Sequence, residues 1–210
     1  IFNENRKFNL TGHKSLKDII INLIIKSLEP FKSMDVPRGT LFADLGTGAG
    51  IPGVPLAVKY PWISGILFDS IQKKIDFIEK VKEILKLENI KTVGLRIEDA
   101  GRSSEFRERF DLVITRAMSD LYTIAELSSP LLKPGGYLYA YTNLKIEDIN
   151  NYIYGHLHNL GLKIKKKTDD GSSFLKLCKD GLLFEKVNHI DEKYPRRMAV
   201  IKRMAERNEI

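Results

Sequence analysis

Hydrophobic and polar positions along this chain follow two periods. From Ser15 to Phe31 the apolar residues Leu16, Ile19, Ile20, Leu23, Ile24 and Leu28 recur at helical spacing, and Ser15 with Asp18 three residues on predicts an N-cap. From residue 40 onward short apolar runs take over, and TLFADLG, ISGILFD, KTVGLR, FDLVIT and GGYLYAYT each read as a strand. Helical patterns lie between several of them. The turn after TLFADLG passes through Pro52 and Pro55 into a helix ending near Tyr60, and IQKKIDFIEKVKEILKL sets Ile75, Ile78, Val81, Ile84 and Leu85 on one face. Further on, the pattern predicts a helix from Ile146 to Leu160 and three strand-like runs near Leu162, Leu182 and Met198, enough for a terminal antiparallel hairpin. Strand, helix, strand repetition of this kind predicts a parallel sheet covered by helices on both sides. The expected fold is therefore α/β and Rossmann-like: a mostly parallel seven-stranded sheet with an antiparallel final strand, plus an N-terminal helix.

Composition narrows the class. A chain of 210 residues suits one domain, and 43% hydrophobic with 29% charged residues is the balance of a folded globular protein, not of a disordered one. No apolar stretch approaches the roughly 20 residues needed to cross a bilayer. The opening IFNENRKFNL has Arg6 and Lys7 but no apolar run with a cleavage site after them, so the expected location is cytoplasmic. Cys178, the one cysteine, sits in LKLCKDG and reads as a small buried apolar residue; with four scattered histidines it predicts no metal site. Thirty-four Lys and Arg against 27 Asp and Glu leave a net charge of +7, which suits a polyanionic partner as well as simple solubility.

The strongest chemical signal is Asp44-Leu45-Gly46-Thr47-Gly48-Ala49-Gly50, at the end of one predicted strand and the start of a helix. Glycines there permit a tight turn and close backbone approach to a ligand. A dinucleotide fingerprint would place its third glycine at position 51, where this chain has Ile51. The shorter GxGxG spacing is that of methyltransferases, although an NAD-dependent oxidoreductase stays open as an alternative. Asp69, at the tip of the second strand, is placed to accept hydrogen bonds from the ribose hydroxyls of a nucleoside cofactor. Without a ligand, an aspartate before Ser70 would be only a helix cap. Glu98, in Arg96-Ile97-Glu98-Asp99, could meet an adenine edge, and Arg116 falls at the carboxyl edge of the sheet, where open α/β folds bind ligands. A solvated loop acid and a surface ion pair are the plain alternatives for those two.

After the fourth strand the chain reads TRAMSD, without the acid or amide, paired prolines and aromatic that align an exocyclic amine, and Cys178 lies far from where a C5-methylating nucleophile would stand. A ring nitrogen with an in-plane lone pair, such as guanine N7, needs neither group, only in-line positioning. No catalytic side chain is therefore predicted.

With these residues in view, the chain resembles the RsmG (GidB) family. The resemblance rests on RKFNLT at 6 to 11, DLGTGAGIPGVPLA at 44 to 57, LFDSIQKKIDFI at 67 to 78, LENI at 87 to 90, RIED at 96 to 99, FDLVITRA at 110 to 117, LLKPGGYLYA at 131 to 140 and YPRR at 194 to 197. It implies a class I S-adenosylmethionine-dependent methyltransferase, monomeric, acting on N7 of a guanine in 16S ribosomal RNA or the 30S subunit (guanine 527 of the 530 loop in bacterial numbering). Residues 1–38 would be a helical extension, 39–145 the cofactor-binding half and 146–210 the hairpin half. The cofactor would touch Gly46, Ile51, Ile97, Glu98 and Arg116, joined by Asp69 from the ribose argument, and Lys73 and Lys74 would touch RNA phosphate. The chain departs from the family pattern at Leu23, Lys26, Gln72, Thr142 and Asn143. Those departures keep open a second reading, an RNA-binding assembly protein that holds the cofactor pocket without turnover.

Overall fold

The computed structural model describes residues 1–6, 10–33, 36–116, 118–165 and 181–207. Residues 7–9, Ala117 and Cys178, on which parts of the sequence reading rest, lie outside them. Seven strands form one sheet: β1 (Leu41–Leu45), β2 (Ser64–Phe68), β3 (Ile90–Val93), β4 (Phe110–Arg116), β5 (Leu132–Tyr141), β6 (Leu162–Ile164) and β7 (Leu182–Lys186). Their order is β3-β2-β1-β4-β5-β7-β6. The first five run parallel, with Ala43 opposite Val113 and Val113 opposite Leu138, while β7 enters antiparallel between β5 and β6, with Tyr139 opposite Leu183. β1 and β4 are central and buried on both faces, which is why LFADL and FDLVITR read as nearly continuous apolar runs.

Side-chain alternation along the strands divides the core into two layers. Phe42, Leu67, Leu112, Ile114, Tyr139 and Leu183 face one way, packed under α3 (Gly53–Lys59) and α4 (Gln72–Leu85). Ala43, Phe68, Val113, Leu138 and Phe184 face the other, under α5 (Ile97–Arg102), α6 (Leu121–Ser128) and α7 (Asn151–Asn159). Phe68 meets Phe106 edge-on at 5.2 Å between ring centres within this second layer. Trp62, the chain's one tryptophan, stands before β2 at the amino edge of the sheet, edge-on to Tyr60 at 5.4 Å and donating its indole N–H to the Val36 carbonyl at 3.1 Å.

Several elements differ from their predicted form. The N-terminal helix starts where expected, with the Ser15 side chain accepting from Asp18 N–H, but only α1 (Leu16–Asp18) and α2 (Lys26–Leu28) are wound as α. Between them Ile19–Ile25 forms a π-helix, in which Lys26 N–H reaches back five residues to the Ile21 carbonyl. The wider turn re-aims the apolar face: Ile19 and Ser27 are buried, while Leu16 and Ile20 of the predicted face are exposed. Tyr60 and Tyr141 donate their hydroxyls to the Phe31 and Ser27 carbonyls, fastening the segment to the sheet. On α4 the buried face is Ile75, Phe77 and Ile78; Ile84 and Leu85, predicted to share it, are 78% and 49% exposed in a last turn that nothing covers. The Ile146–Leu160 helix breaks after Asp148, because Asn150 caps a new start by accepting from Ile153 N–H.

The run near Met198, predicted as a strand, is a helix, α8 (Met198–Glu206). A short apolar run does not declare its period, and here Met198, Ile201 and Ala205 follow the helical one, with Ile201 fully buried against Tyr122 and Leu127 of α6. Among the described residues no helix is long and apolar enough to cross a membrane.

Candidate cofactor and substrate site

The strand order reverses between β1 and β4, so their carboxyl ends border a crevice. The glycine loop leaves β1 into it. Gly46 adopts φ +66°, open to glycine and strained for other residues, and a Cβ there would meet the Met118 side chain at 3.4 Å. Thr47 N–H bonds the Phe68 carbonyl at 2.9 Å, and Gly48 N–H bonds Asp69 Oδ2 at 3.0 Å. The other oxygen of Asp69 accepts from Ile71 N–H at 2.9 Å, and Lys74 Nζ stands 3.5 Å from Oδ2. One buried carboxylate thus joins the glycine loop to the start of α4. Of its roughly four lone-pair sites three are taken, which leaves acceptor capacity on Oδ1.

Beneath the loop lies a second acid. Asp44 is fully buried; its Oδ2 accepts from the Thr47 hydroxyl at 2.7 Å and from Gly53 N–H at 2.8 Å, and its Oδ1 has no hydrogen-bond partner. Gly53 permits this approach, since a Cβ there would stand 2.7 Å from Oδ2. Burial pushes the Asp44 carboxyl up to about 7, partly offset by the bonds from Thr47 and Gly53.

A cavity of about 420 Å³ opens above the loop, and Gly46, Asp69, Lys74, Ile97 and Glu98 all line it. Four of the six residues expected at the cofactor are therefore gathered in one place, together with one of the two lysines expected at RNA. Ile97 and Glu98 open α5, so the first N–H groups of that helix face no intrahelical acceptor. Ile51 is buried behind the loop in the apolar layer that also holds Val54 and Ile78. Lys73 is exposed. Arg116 lines a different cavity of about 510 Å³, beside Lys26, Thr142 and Asn143.

Sequence reading missed the far wall of the first cavity: Met118, Thr123 and Leu127 on the α6 side, and Met198 and Lys202 on α8. The α6 half was within reach, because Ser119-Asp120 before LYTIAEL is an N-cap signature; Asp120 Oδ1 accepts from Thr123 N–H at 2.8 Å. The α8 half was lost with the misread period. That wall is pinned from behind by Glu126, fully buried, whose carboxylate accepts from Arg196 Nε and Arg196 N–H, each at 2.8 Å, and from Arg196 Nη2. Arg196 Nη2 also donates to the Tyr122 hydroxyl at 2.9 Å. His156 stacks on the Tyr122 ring at 3.5 Å between centres; burial holds its imidazole down at about 4, against the opposing pull of Glu126, so it is neutral at pH 7.

A family model described as rRNA small subunit methyltransferase G, GidB, matches residues 1–152. The chain belongs to the GidB family. Among its relatives are proteins named ribosomal RNA small subunit methyltransferase G. The one from Lachnoclostridium phytofermentans is 34% identical over 193 residues, covering 91% of this chain and 79% of the relative. The one from Fervidobacterium nodosum is 34% identical over 200 residues, covering 93% and 90%. Solved structures share the fold of this GidB chain at lower identity. A SAM-dependent methyltransferase from Aquifex aeolicus superposes with TM-score 0.54 at 15% identity, over 82% of this chain and 94% of that one. The aminoglycoside resistance methyltransferase NpmB1 gives 0.54 at 19%, over 76% and 91%. The GidB chain thus has the class I methyltransferase architecture, with its glycine loop and Asp69 at the crevice.

Two predictions follow from the buried acids. Glu126→Ala leaves the Arg196 guanidinium without its carboxylate and lowers stability by roughly 3 kcal/mol, or about 6–12 °C in melting temperature; a thermal melt within about 2 °C of wild type would contradict the clamp. Asp44 binds its proton more tightly folded than unfolded, so the unfolded chain holds fewer protons between about pH 4 and 7 and stability declines as pH rises through that window. In Asp44→Asn, melts between pH 5 and 8 should show a flatter decline than wild type; coincident slopes would mean that another group titrates.

Proposed function

We propose that this protein transfers the methyl group of S-adenosylmethionine to N7 of a guanine in 16S ribosomal RNA of the small subunit. Family membership supports the reaction class. The cofactor assignment rests on one observation: the Asp69 carboxylate, tied to Gly48 N–H and Ile71 N–H, lines one cavity together with Gly46, Ile97 and Glu98. A volume of about 420 Å³ is within the range of small-molecule sites. Asp69 would hold the ribose hydroxyls, and Ile97 with Glu98 the adenine edge. Gly46, without a Cβ, lets the backbone come close to the ligand. Ile51 supports the loop from behind, and Lys74 of the lining with the exposed Lys73 beside it in sequence would meet RNA phosphate.

The cofactor, when bound, supplies a methyl group activated on a positively charged sulfur. What the chain must add is position, because a ring nitrogen attacks with a lone pair already in the plane of the base. Asp120, the acid nearest the end of β4, is not free to act as a base. Burial alone would raise its carboxyl, but hydrogen bonds from Thr123 and Ser119 outweigh burial and hold it below the usual range. It is occupied as the cap of α6.

Methyl transfer from radiolabelled S-adenosylmethionine to unmodified 30S subunits and naked 16S RNA, followed by strand cleavage specific for N7-methylguanine, should place label at a single guanine. Label on neither substrate, with cofactor binding intact, would favour the RNA-binding reading without turnover. Gly46→Asp puts charge and bulk where the backbone meets the ligand and should raise the cofactor Kd on the order of 100-fold, about 2.7 kcal/mol; unaltered binding in calorimetry would displace the loop from the site.

A further inference from the structure

The helix α8 and the residues that cap it present four cations, Arg197, Lys202, Arg203 and Arg207, against one acid, Glu206. All five are exposed, while Met198, Ile201 and Ala205 turn to α6. Among the described residues none of the four cations makes an ion pair. Lys74, by contrast, stands 3.5 Å from Asp69 Oδ2, where part of its charge is met within the protein.

Place matters as much as charge. Met198 and Lys202 line the cavity above the glycine loop, and Ala205 lines a smaller one of about 270 Å³ that shares Ser119 with it. One helix thus borders both, on the α6 face of the sheet, whereas Lys73 and Lys74 open α4 on the opposite face. Lys202 follows Met198 by four positions and shares its flank; Arg203 and Arg207, again four apart, share another. The helix is anchored before any partner arrives. Arg102 Nη2 donates to the Pro195 carbonyl at 2.9 Å and Arg107 Nη1 to the Tyr194 carbonyl at 2.7 Å, which fixes the chain entering α8, and Ile201 is fully buried beneath it. A cation carried on a fixed backbone gives up little freedom when it meets an anion.

We propose that α8 is a contact surface for the RNA backbone, in which Arg203 and Arg207 meet phosphates of the substrate strand beside the cofactor cavity and Lys202 stands where that strand reaches it. Each such contact releases counterions from the polyanion, so the attraction is strong in sum and sensitive to salt. The surface rests on the methyltransferase reading, and it names what holds the RNA on the side of the cavity away from Lys73 and Lys74.

Arg203 and Arg207 are the residues to change, because both are exposed and neither lines either cavity. Binding of unmethylated 30S subunits and of a naked 16S RNA transcript would be titrated over a series of salt concentrations with S-adenosylhomocysteine present, alongside the cofactor Kd and a thermal melt. Arg203→Glu with Arg207→Glu should weaken RNA binding by about 100-fold and lower the salt slope by about two, as for two lost phosphate contacts, with cofactor Kd and melting temperature kept. Arg203→Lys with Arg207→Lys should bind nearly as wild type, since a point charge suffices for phosphate. Lys86→Glu with Lys91→Glu makes the same change of charge at the amino edge of the sheet, away from the crevice, and should do much less. The proposal is overturned if the two double reversals weaken RNA alike, if the α8 reversal leaves the salt slope unchanged, or if wild type binds neither RNA. Should wild type bind RNA and transfer no methyl, the methyltransferase reading fails while the titration still reports on α8.

Discussion

A parallel sheet whose strand order reverses beside its first strand cannot cover its own carboxyl edge, and everything functional in this protein depends on that constraint. The connections from β1 to β3 lay α3 and α4 on one face; the return to β4 lays α5, and the connection from β4 to β5 lays α6, on the other. The crevice left between them must be bordered by loops. Asp69 and Asp44 set the first loop from above and below, one by tying Gly48 to the start of α4, the other by tying Thr47 to the start of α3. Neither acid is exposed, so both act on the loop through hydrogen bonds of short reach in a low-dielectric setting.

Much of this was legible in the sequence, and the parts that were not have definite physical reasons. The central strands could be read because burial on both faces leaves no polar position to confuse the period. The position of Asp69 could be read because it directly follows the second apolar run, at the carboxyl tip of β2. The winding of Ile19–Ile25 could not, since a run of isoleucines fits α and π spacing equally well and the choice is made by what the carbonyls meet, here the guanidinium of Arg116. The α8 wall was hidden for a related reason: MAVIKRMAE is too short to show its period, and Ile201 is helical because Tyr122 and Leu127 await it. The Glu126–Arg196 pair joins residues seventy positions apart and leaves no local mark in either stretch.

Two cavities on the carboxyl edge differ in the charge of their linings. The first carries Asp69 and Glu98 with Lys74 and Lys202, a mixed lining suited to a ligand that is itself of both signs. The second has Lys26 and Arg116 and no carboxylate in its lining. Arg116, the last residue of β4, and Met118, two positions on, line different cavities.

The place of the one tryptophan gives the molecule a convenient optical property. Trp62 sits at the amino edge, held by Tyr60 and the Val36 carbonyl and overlaid by Arg38 at 5.7 Å, on the side of the sheet away from the crevice. Its emission therefore follows the integrity of the fold and stays blind to occupancy of either cavity, which separates loss of structure from loss of ligand in a single cuvette.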